Sequence, residues 1–89
     1  MGEDYAKVKI KFYAILTEFA GIEEAEIQLP RKKTSRDIVN FLKKQFTGLS
    51  KIDEYKLRII ILKNGEIVSS NIKLNHNDRI EVLPLSSGG

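Results

Sequence analysis

The sequence predicts an α+β roll, a mixed sheet of four to five strands packed by one main helix. Three observations lead there. Two early segments, Lys7 to Tyr13 and Glu24 to Leu29, alternate polar and apolar residues with the period of half-buried strands. One amphipathic stretch follows them. After it come a strand-length apolar run, a hairpin signal and a last alternating segment, which could lie parallel beside the first at the centre of the sheet.

In the first segment Lys7, Lys9 and Lys11 fall on one side and Val8, Ile10 and Phe12 on the other. Ile15, Leu16 and Phe19 have helical spacing, and Gly21 follows as a stop, so a short helical turn is expected there. Ala25, Ile27 and Leu29 line one face of the second strand, which Pro30 ends because it cannot donate to a ladder. Arg31-Lys32-Lys33 reads as a polar loop. Thr34 is the expected N-cap of the main helix, with Asp37 as its capping-box partner. Ile38, Val39, Phe41, Leu42 and Phe46 mark the apolar stripe of roughly three turns. Lys43 and Lys44 suit the helix C-terminus, and Gly48 suits a left-handed position after it.

Leu57 to Leu62 is a nearly continuous apolar run rich in β-branched residues. Asn64-Gly65 is the strongest hairpin signal in the chain, with Glu66 to Ser69 as the return strand. Ile72 and Leu74 fall in a connecting segment. Asn77-Asp78 turns into the last strand, Arg79 to Leu85, where Pro84 is expected to weaken pairing.

A chain of 89 residues fits one domain, here 1–85, followed by a flexible tail at 86–89. No apolar run approaches the ~18 residues a membrane helix needs, so no membrane role is expected. Met1-Gly2-Glu3-Asp4 has neither a basic n-region nor an apolar h-region, and Ala6 stands where a myristoylation signal needs Ser or Thr. The absence of cysteine excludes disulfides, thiolate metal sites and a cysteine nucleophile, and favours a cytoplasmic setting. The one histidine, His76, reads as a solvated turn residue, and no metal site is expected. The formal charge is +3, with basic residues spread and acidic ones interleaved. There is no Arg-rich block and no aromatic-basic ladder, so nucleic acid is not an expected partner; a solvated face or an acidic protein is.

The second half, Arg58-Ile59-Ile60-Ile61-Leu62-Lys63-Asn64-Gly65 and then Ile72-Lys73-Leu74-Asn75-His76-Asn77-Asp78-Arg79-Ile80-Glu81-Val82-Leu83-Pro84-Leu85-Ser86-Ser87-Gly88-Gly89, resembles the MoaD family. These are small subunits of molybdopterin synthase, within the wider MoaD/ThiS sulfur carriers. The family pattern is a hydrophobic strand, an Asn-Gly turn, a Leu, a Gly-Asp turn and a final Pro-Pro-Val-Ser-Gly-Gly. Phe12-Tyr13-Ala14, Phe19-Ala20-Gly21, Leu29-Pro30 and Thr34 carry the resemblance through the first half. Asn77-Asp78 replaces Gly-Asp and keeps its turn chemistry, since Asn tolerates left-handed conformations. Leu83-Pro84-Leu85-Ser86-Ser87 departs from Pro-Pro-Val-Ser.

The resemblance implies a ubiquitin-like β-grasp fold and a working group at the C-terminal carboxylate of Gly89, adenylated and then thiocarboxylated. Gly88 and Gly89 suit that role because a tail without Cβ atoms can enter a narrow ATP site and adopt conformations closed to other residues. Ser86 and Ser87 add small polar spacing. The implied partners are an adenylating enzyme of the ubiquitin-activating type, MoeB-like, which uses ATP, and a large synthase subunit, MoaE-like. The chain itself is expected to bind no cofactor. It shows no catalytic motif of its own, so it is not expected to be an enzyme by itself, but the sulfur-donating subunit of one.

Parity places Leu57, Ile59 and Ile61 toward the helix and Ile60 and Leu62 away from it. Ile60 and Leu62, extended by Leu83 and Leu85, then form an exposed apolar patch for a partner. The face of Lys7, Lys9 and Lys11 reads as a solvated edge. Other functions share the same tail: a carrier for thiamine or tRNA thiolation, a ubiquitin-like modifier joined to lysines, or a non-catalytic interaction module.

Overall fold

The computed structural model describes residues 5–68 and 71–85. Strand β1 (Tyr5–Phe12) buries Ala6, Val8, Ile10 and Phe12 and turns Lys7, Lys9 and Lys11 to the opposite face. Strand β2 (Glu24–Pro30) pairs with it antiparallel, and β7 (Arg79–Leu85) pairs with it parallel, Ile10 opposite Ile80. Beyond β7 lie β4 (Arg58–Lys63) and β5 (Glu66–Ile67), so the mixed sheet has five strands in the order β2-β1-β7-β4-β5. The first and last strands do run parallel side by side. The lysine face of β1 therefore belongs to an interior strand, not to an edge. Lys7 pairs with Glu26 at 3.4 Å and Lys11 with Glu24 at 3.8 Å.

Helix α2 (Ser35–Gln45) covers the inner face. The Thr34 hydroxyl oxygen accepts from the Asp37 N–H at 3.1 Å, and the Asp37 carboxylate accepts from the Thr34 N–H at 3.4 Å, completing the capping box. Ile38 and Leu42, one turn apart, are buried, with Val39, Phe41 and Phe46 packed at the margin. Phe12 meets Phe46 edge to face at 5.3 Å. Such a pair contributes about 0.5–1.5 kcal/mol beyond its burial.

Gly48 does not take a left-handed cap. It lies in a 3-10 turn (Thr47–Ser50), and the positive-φ glycines among the described residues are Gly21 and Gly65. Gly48 is required for closeness instead, since a Cβ there would stand 2.0 Å from the Phe19 carbonyl oxygen. Phe19 belongs to helix α1 (Ile15–Ala20), which ends as expected with Gly21 at φ 79°. The start of α1 is strained. Ala14 sits at φ 55° and ψ −137°, while the Leu16 N–H donates to the Tyr13 carbonyl at 3.1 Å. A type II′ turn normally gives that position to glycine.

Three elements exceed the sequence reading. Helix α3 (Lys51–Glu54) buries Ile52 and offers Asp53 to the Lys43 ammonium at 2.9 Å. Strands β3 (Lys32–Thr34) and β6 (Asn71–Lys73) pair antiparallel as a separate two-stranded sheet, where a polar loop and a connecting segment were expected. The return strand β5 is shorter than expected; Ser69 lies outside the described residues.

Asn64 and Gly65 both have positive φ, 50° and 89°, as a type I′ hairpin turn requires. Asn77 is left-handed at φ 72°. Asp78 links the two turns: its carboxylate accepts from the Asn64 amide at 3.0 Å and from the Asn75 N–H at 2.8 Å. The Asn64 side-chain oxygen accepts from the Arg79 N–H at 2.9 Å. His76 is exposed but not merely solvated. Its Nδ1 accepts from the Lys7 backbone N–H at 3.0 Å and ties the turn to β1.

Pro84 does not weaken the ladder as expected. β7 runs on past it, Pro84 opposite Ile59 and Leu85 opposite Arg58. The Tyr13 N–H donates to the Val82 carbonyl at 3.2 Å. Strand alternation points the amide position of Pro84 to that same side, where β1 has already ended. The missing donor therefore takes no bond from the pairing with β4.

Candidate functional site

β7 delivers the chain to the boundary of the sheet. Its last residue, Leu85, stands opposite Arg58, the first residue of β4. Four candidate site residues follow, Ser86, Ser87, Gly88 and Gly89, and they lie outside the described residues.

The other four candidates share one face. Ile60 and Leu83 are direct cross-strand partners, and Leu62 stands opposite Glu81 on one side and Ile67 on the other. Alternation turns Ile60, Leu62, Leu83 and Leu85 away from α2. Ile61 is buried toward α2, and Leu57 and Ile59 pack against the core. The division of faces agrees with the parity argument, but the degree of exposure does not. Ile60, Leu62 and Leu83 are half-buried, and of the four only Leu85 is exposed, at 43%. Directly opposed side chains in a sheet stand close enough to shield one another.

Ile67, absent from the sequence reading of this face, extends it with 71% exposure. The signal was present: a two-residue Asn64-Gly65 loop sets the hairpin register, which puts Ile67 opposite Leu62.

The rest of the outer face is charged. At its border the Tyr13 hydroxyl donates to the Glu81 carboxylate, and the Lys11 ammonium lies 5.1 Å from the Tyr13 ring centre. The hydrogen bond to Glu81 holds the phenol above its ordinary pKa of 10.0; desolvation and the Glu81 charge act the same way, and Lys11 opposes them. The outer face thus has a largely apolar half over β4, β5 and the end of β7, with exposed Arg58 opposite Leu85 at its margin, and a charged half over β1 and β2. Among the described residues no group of three or more His, Cys, Asp or Glu side chains is placed to hold a metal ion, and no helix is long and apolar enough to cross a membrane.

A mixed sheet with its first and last strands parallel at the centre, one main helix across the inner face, and a terminal strand that releases the chain beside an apolar patch defines a ubiquitin-like protein of β-grasp fold. The chain belongs to the ThiS family of sulfur carriers, whose family model matches residues 10–89, tail included. It is similar to the molybdopterin synthase sulfur carrier subunit of Arabidopsis thaliana, 22% identical over 83 residues that span 93% of this chain and 83% of that protein. Among solved structures it is similar to a Pyrococcus furiosus protein provisionally described as molybdopterin converting factor, subunit 1. That likeness has 30% identity and a TM-score of 0.72, over 91% of this chain and 99% of the other. Small archaeal modifier protein 1 of Methanosarcina acetivorans is similar at 27% identity and a TM-score of 0.73, over 96% of this chain and 98% of the other.

Proposed function

We propose that this chain carries sulfur on the carboxylate of Gly89 and serves as the small subunit of molybdopterin synthase, in molybdenum cofactor biosynthesis. The observation that carries this reading is the place where the sheet releases the chain. β7 ends at Leu85 beside an apolar face, and Ser86-Ser87-Gly88-Gly89 follows inside the stretch that matches the family. The Arabidopsis relative, named a molybdopterin synthase sulfur carrier subunit, supports the pathway.

In this reading an adenylating partner of the ubiquitin-activating type, MoeB-like, holds ATP. A Gly89 carboxylate oxygen attacks the α-phosphate, pyrophosphate leaves, and an acyl-adenylate forms. Sulfur at the sulfide level, as hydrosulfide, then attacks the acyl carbon, the carbon–oxygen bond to AMP breaks, AMP and a proton leave, and a thiocarboxylate remains. With no Cβ on Gly88 or Gly89, the tail is narrow enough to reach the phosphates and later to enter a MoaE-like large subunit. That subunit supplies substrate binding and acid-base groups. Ile60, Leu62, Leu83, Leu85 and Ile67 seat the partners, and Ser86 and Ser87 span the gap. The chain binds no cofactor of its own, and the setting is the cytoplasm, without membrane or nucleic acid.

ATP–pyrophosphate exchange by a cognate adenylating enzyme tests this. The intact chain should support exchange. A chain lacking Gly89 should support none while its thermal unfolding stays nearly unchanged. Leu62→Glu should raise the concentration of chain needed without unfolding it. Exchange that survives loss of Gly89 would sink the reading.

Similarity to small archaeal modifier protein 1 favours a second reading, a modifier joined to lysines through isopeptide bonds. Both begin with adenylation. A ladder of higher-mass adducts in cells, lost without Gly89, separates the modifier from the carrier.

A further inference from the structure

We propose that β3, β6 and the first turn of α2 form a docking surface for an acidic, carboxylate-rich segment of a partner protein. The face carries charge choices that work against local stability. Lys32 stands directly opposite Lys73 in the short β3–β6 ladder, and like charges so placed destabilise a strand pair. Arg36 lies in the first turn of α2, where the helix dipole disfavours a cation. Such local conflicts are expected where a surface serves binding rather than folding.

The cations here are also left without acids. Among the described residues Lys7, Lys11 and Lys43 each have a carboxylate partner; Lys32, Lys33, Arg36 and Lys73 have none, a lack they share with Lys9, Lys44 and Lys56, but Lys32, Lys33 and Lys73 also line one groove. Lys63 joins the group by donating to the Lys73 carbonyl at 2.7 Å. Of the acids nearby, Asp37 is engaged in capping Thr34, and Glu66 lies beside Lys63 on the exposed β5. Between the lysines opens a groove of about 520 Å³, with Thr34, Asn71 and the capping Asp37 on its walls and Ile72 beneath.

The groove sits at the pole opposite Leu85, the last residue of β7. β3 follows Pro30, which pairs with Tyr5 at the start of β1. β1 runs parallel to β7, so this is the end where β7 begins, and Leu85 lies at the other end. A partner held here leaves the end of β7 and the apolar half of the outer face free. Carboxylates fit better than nucleic acid. The groove lining and the cations around it include no aromatic ring to stack a base.

The test uses the full chain with a labelled hexaglutamate peptide, and an oligouridine of equal formal charge as the rival probe. Lys32→Glu and Lys73→Glu should each weaken peptide binding roughly fivefold or more and each raise Tm, because a repulsive cross-strand pair becomes an attractive one. The double variant should return Tm toward the starting value, with repulsion restored in the opposite sign, and bind no peptide. Lys9→Glu, with the same change in net charge, should leave binding unchanged, as should loss of Gly89. Lys32→Gln should raise Tm by less than Lys32→Glu, which guards against one variant folding poorly. The proposal is overturned if oligouridine binds as tightly as the peptide, if Lys9→Glu weakens binding as much as Lys32→Glu, or if neither single variant raises Tm.

Discussion

Adding one methyl group at Gly48 should destabilise the domain, against the usual sign of such a change. Gly48 has no positive φ among the residues described. A glycine-to-alanine change at a compatible backbone position ordinarily stabilises by about 0.4–1 kcal/mol through the unfolded chain. Here an added Cβ stands 2.0 Å from the Phe19 carbonyl oxygen and 3.1 Å from its carbon, whereas ordinary contact begins at 3.4 Å. The 3-10 turn and α1 must therefore separate by about 1.4 Å (3.4 less 2.0). The obstacle is backbone, held by the Gly21 N–H bond to the Thr17 carbonyl at 2.9 Å, and cannot swing aside as a side chain could. Overpacking of this kind costs about 1–3 kcal/mol, occasionally more. Taking the upper end and subtracting the entropic gain leaves a loss of about 2–3 kcal/mol. For a domain of this size that is a fall in Tm of roughly 10–20 °C. Thermal melts and urea titrations followed by circular dichroism would show it as a lower midpoint at unchanged m. An unchanged or higher Tm would mean that α1 does not sit against the turn as described.

Ala14→Gly should raise stability by about 1 kcal/mol in the same assay, because glycine adopts the φ of 55° without strain; a loss would show that the Ala14 methyl group packs usefully. Asp78→Ala should cost about 2 kcal/mol, since the Asn64 amide and the Asn75 N–H both lose a carboxylate acceptor. Tyr13 should ionise above its ordinary pKa of 10.0, read from phenolate absorbance and assigned with Tyr13→Phe. A raised folded pKa means that this contribution to stability is full below the unfolded value and fades as pH rises through the folded one. Glu81→Ala should lower the phenol pKa and remove that alkaline loss.

Much of this was legible locally. The alternation of Val8, Ile10 and Phe12 against three lysines requires nothing but neighbours in sequence, and the same holds for the Thr34–Asp37 capping box and the Asn64-Gly65 turn. The face of Ile60 and Leu62 followed from parity alone. Their half-burial did not, because Leu83 and Ile67 shield them from other strands. β3 and β6 span three residues each, too few for a period to show, and they pair across a wide separation in sequence. His76 was read correctly as an exposed turn residue but its bond was not visible in the sequence, and Gly48 was misread, for a related reason: each answers to a backbone group far away in the chain, the Lys7 N–H and the Phe19 carbonyl. Of the candidate site, the tail was legible as composition and position. The split of the outer face into apolar and charged halves needed the register of β1, β7 and β4.

The measurement that tests the central claim most directly is the intact mass of the chain after incubation with ATP, a cognate adenylating enzyme and a sulfur source. Replacement of one carboxylate oxygen by sulfur, lost when Gly89 is removed, is the predicted result. An unchanged mass, under conditions where a known carrier is modified, would contradict the account and leave a ubiquitin-like interaction module in its place.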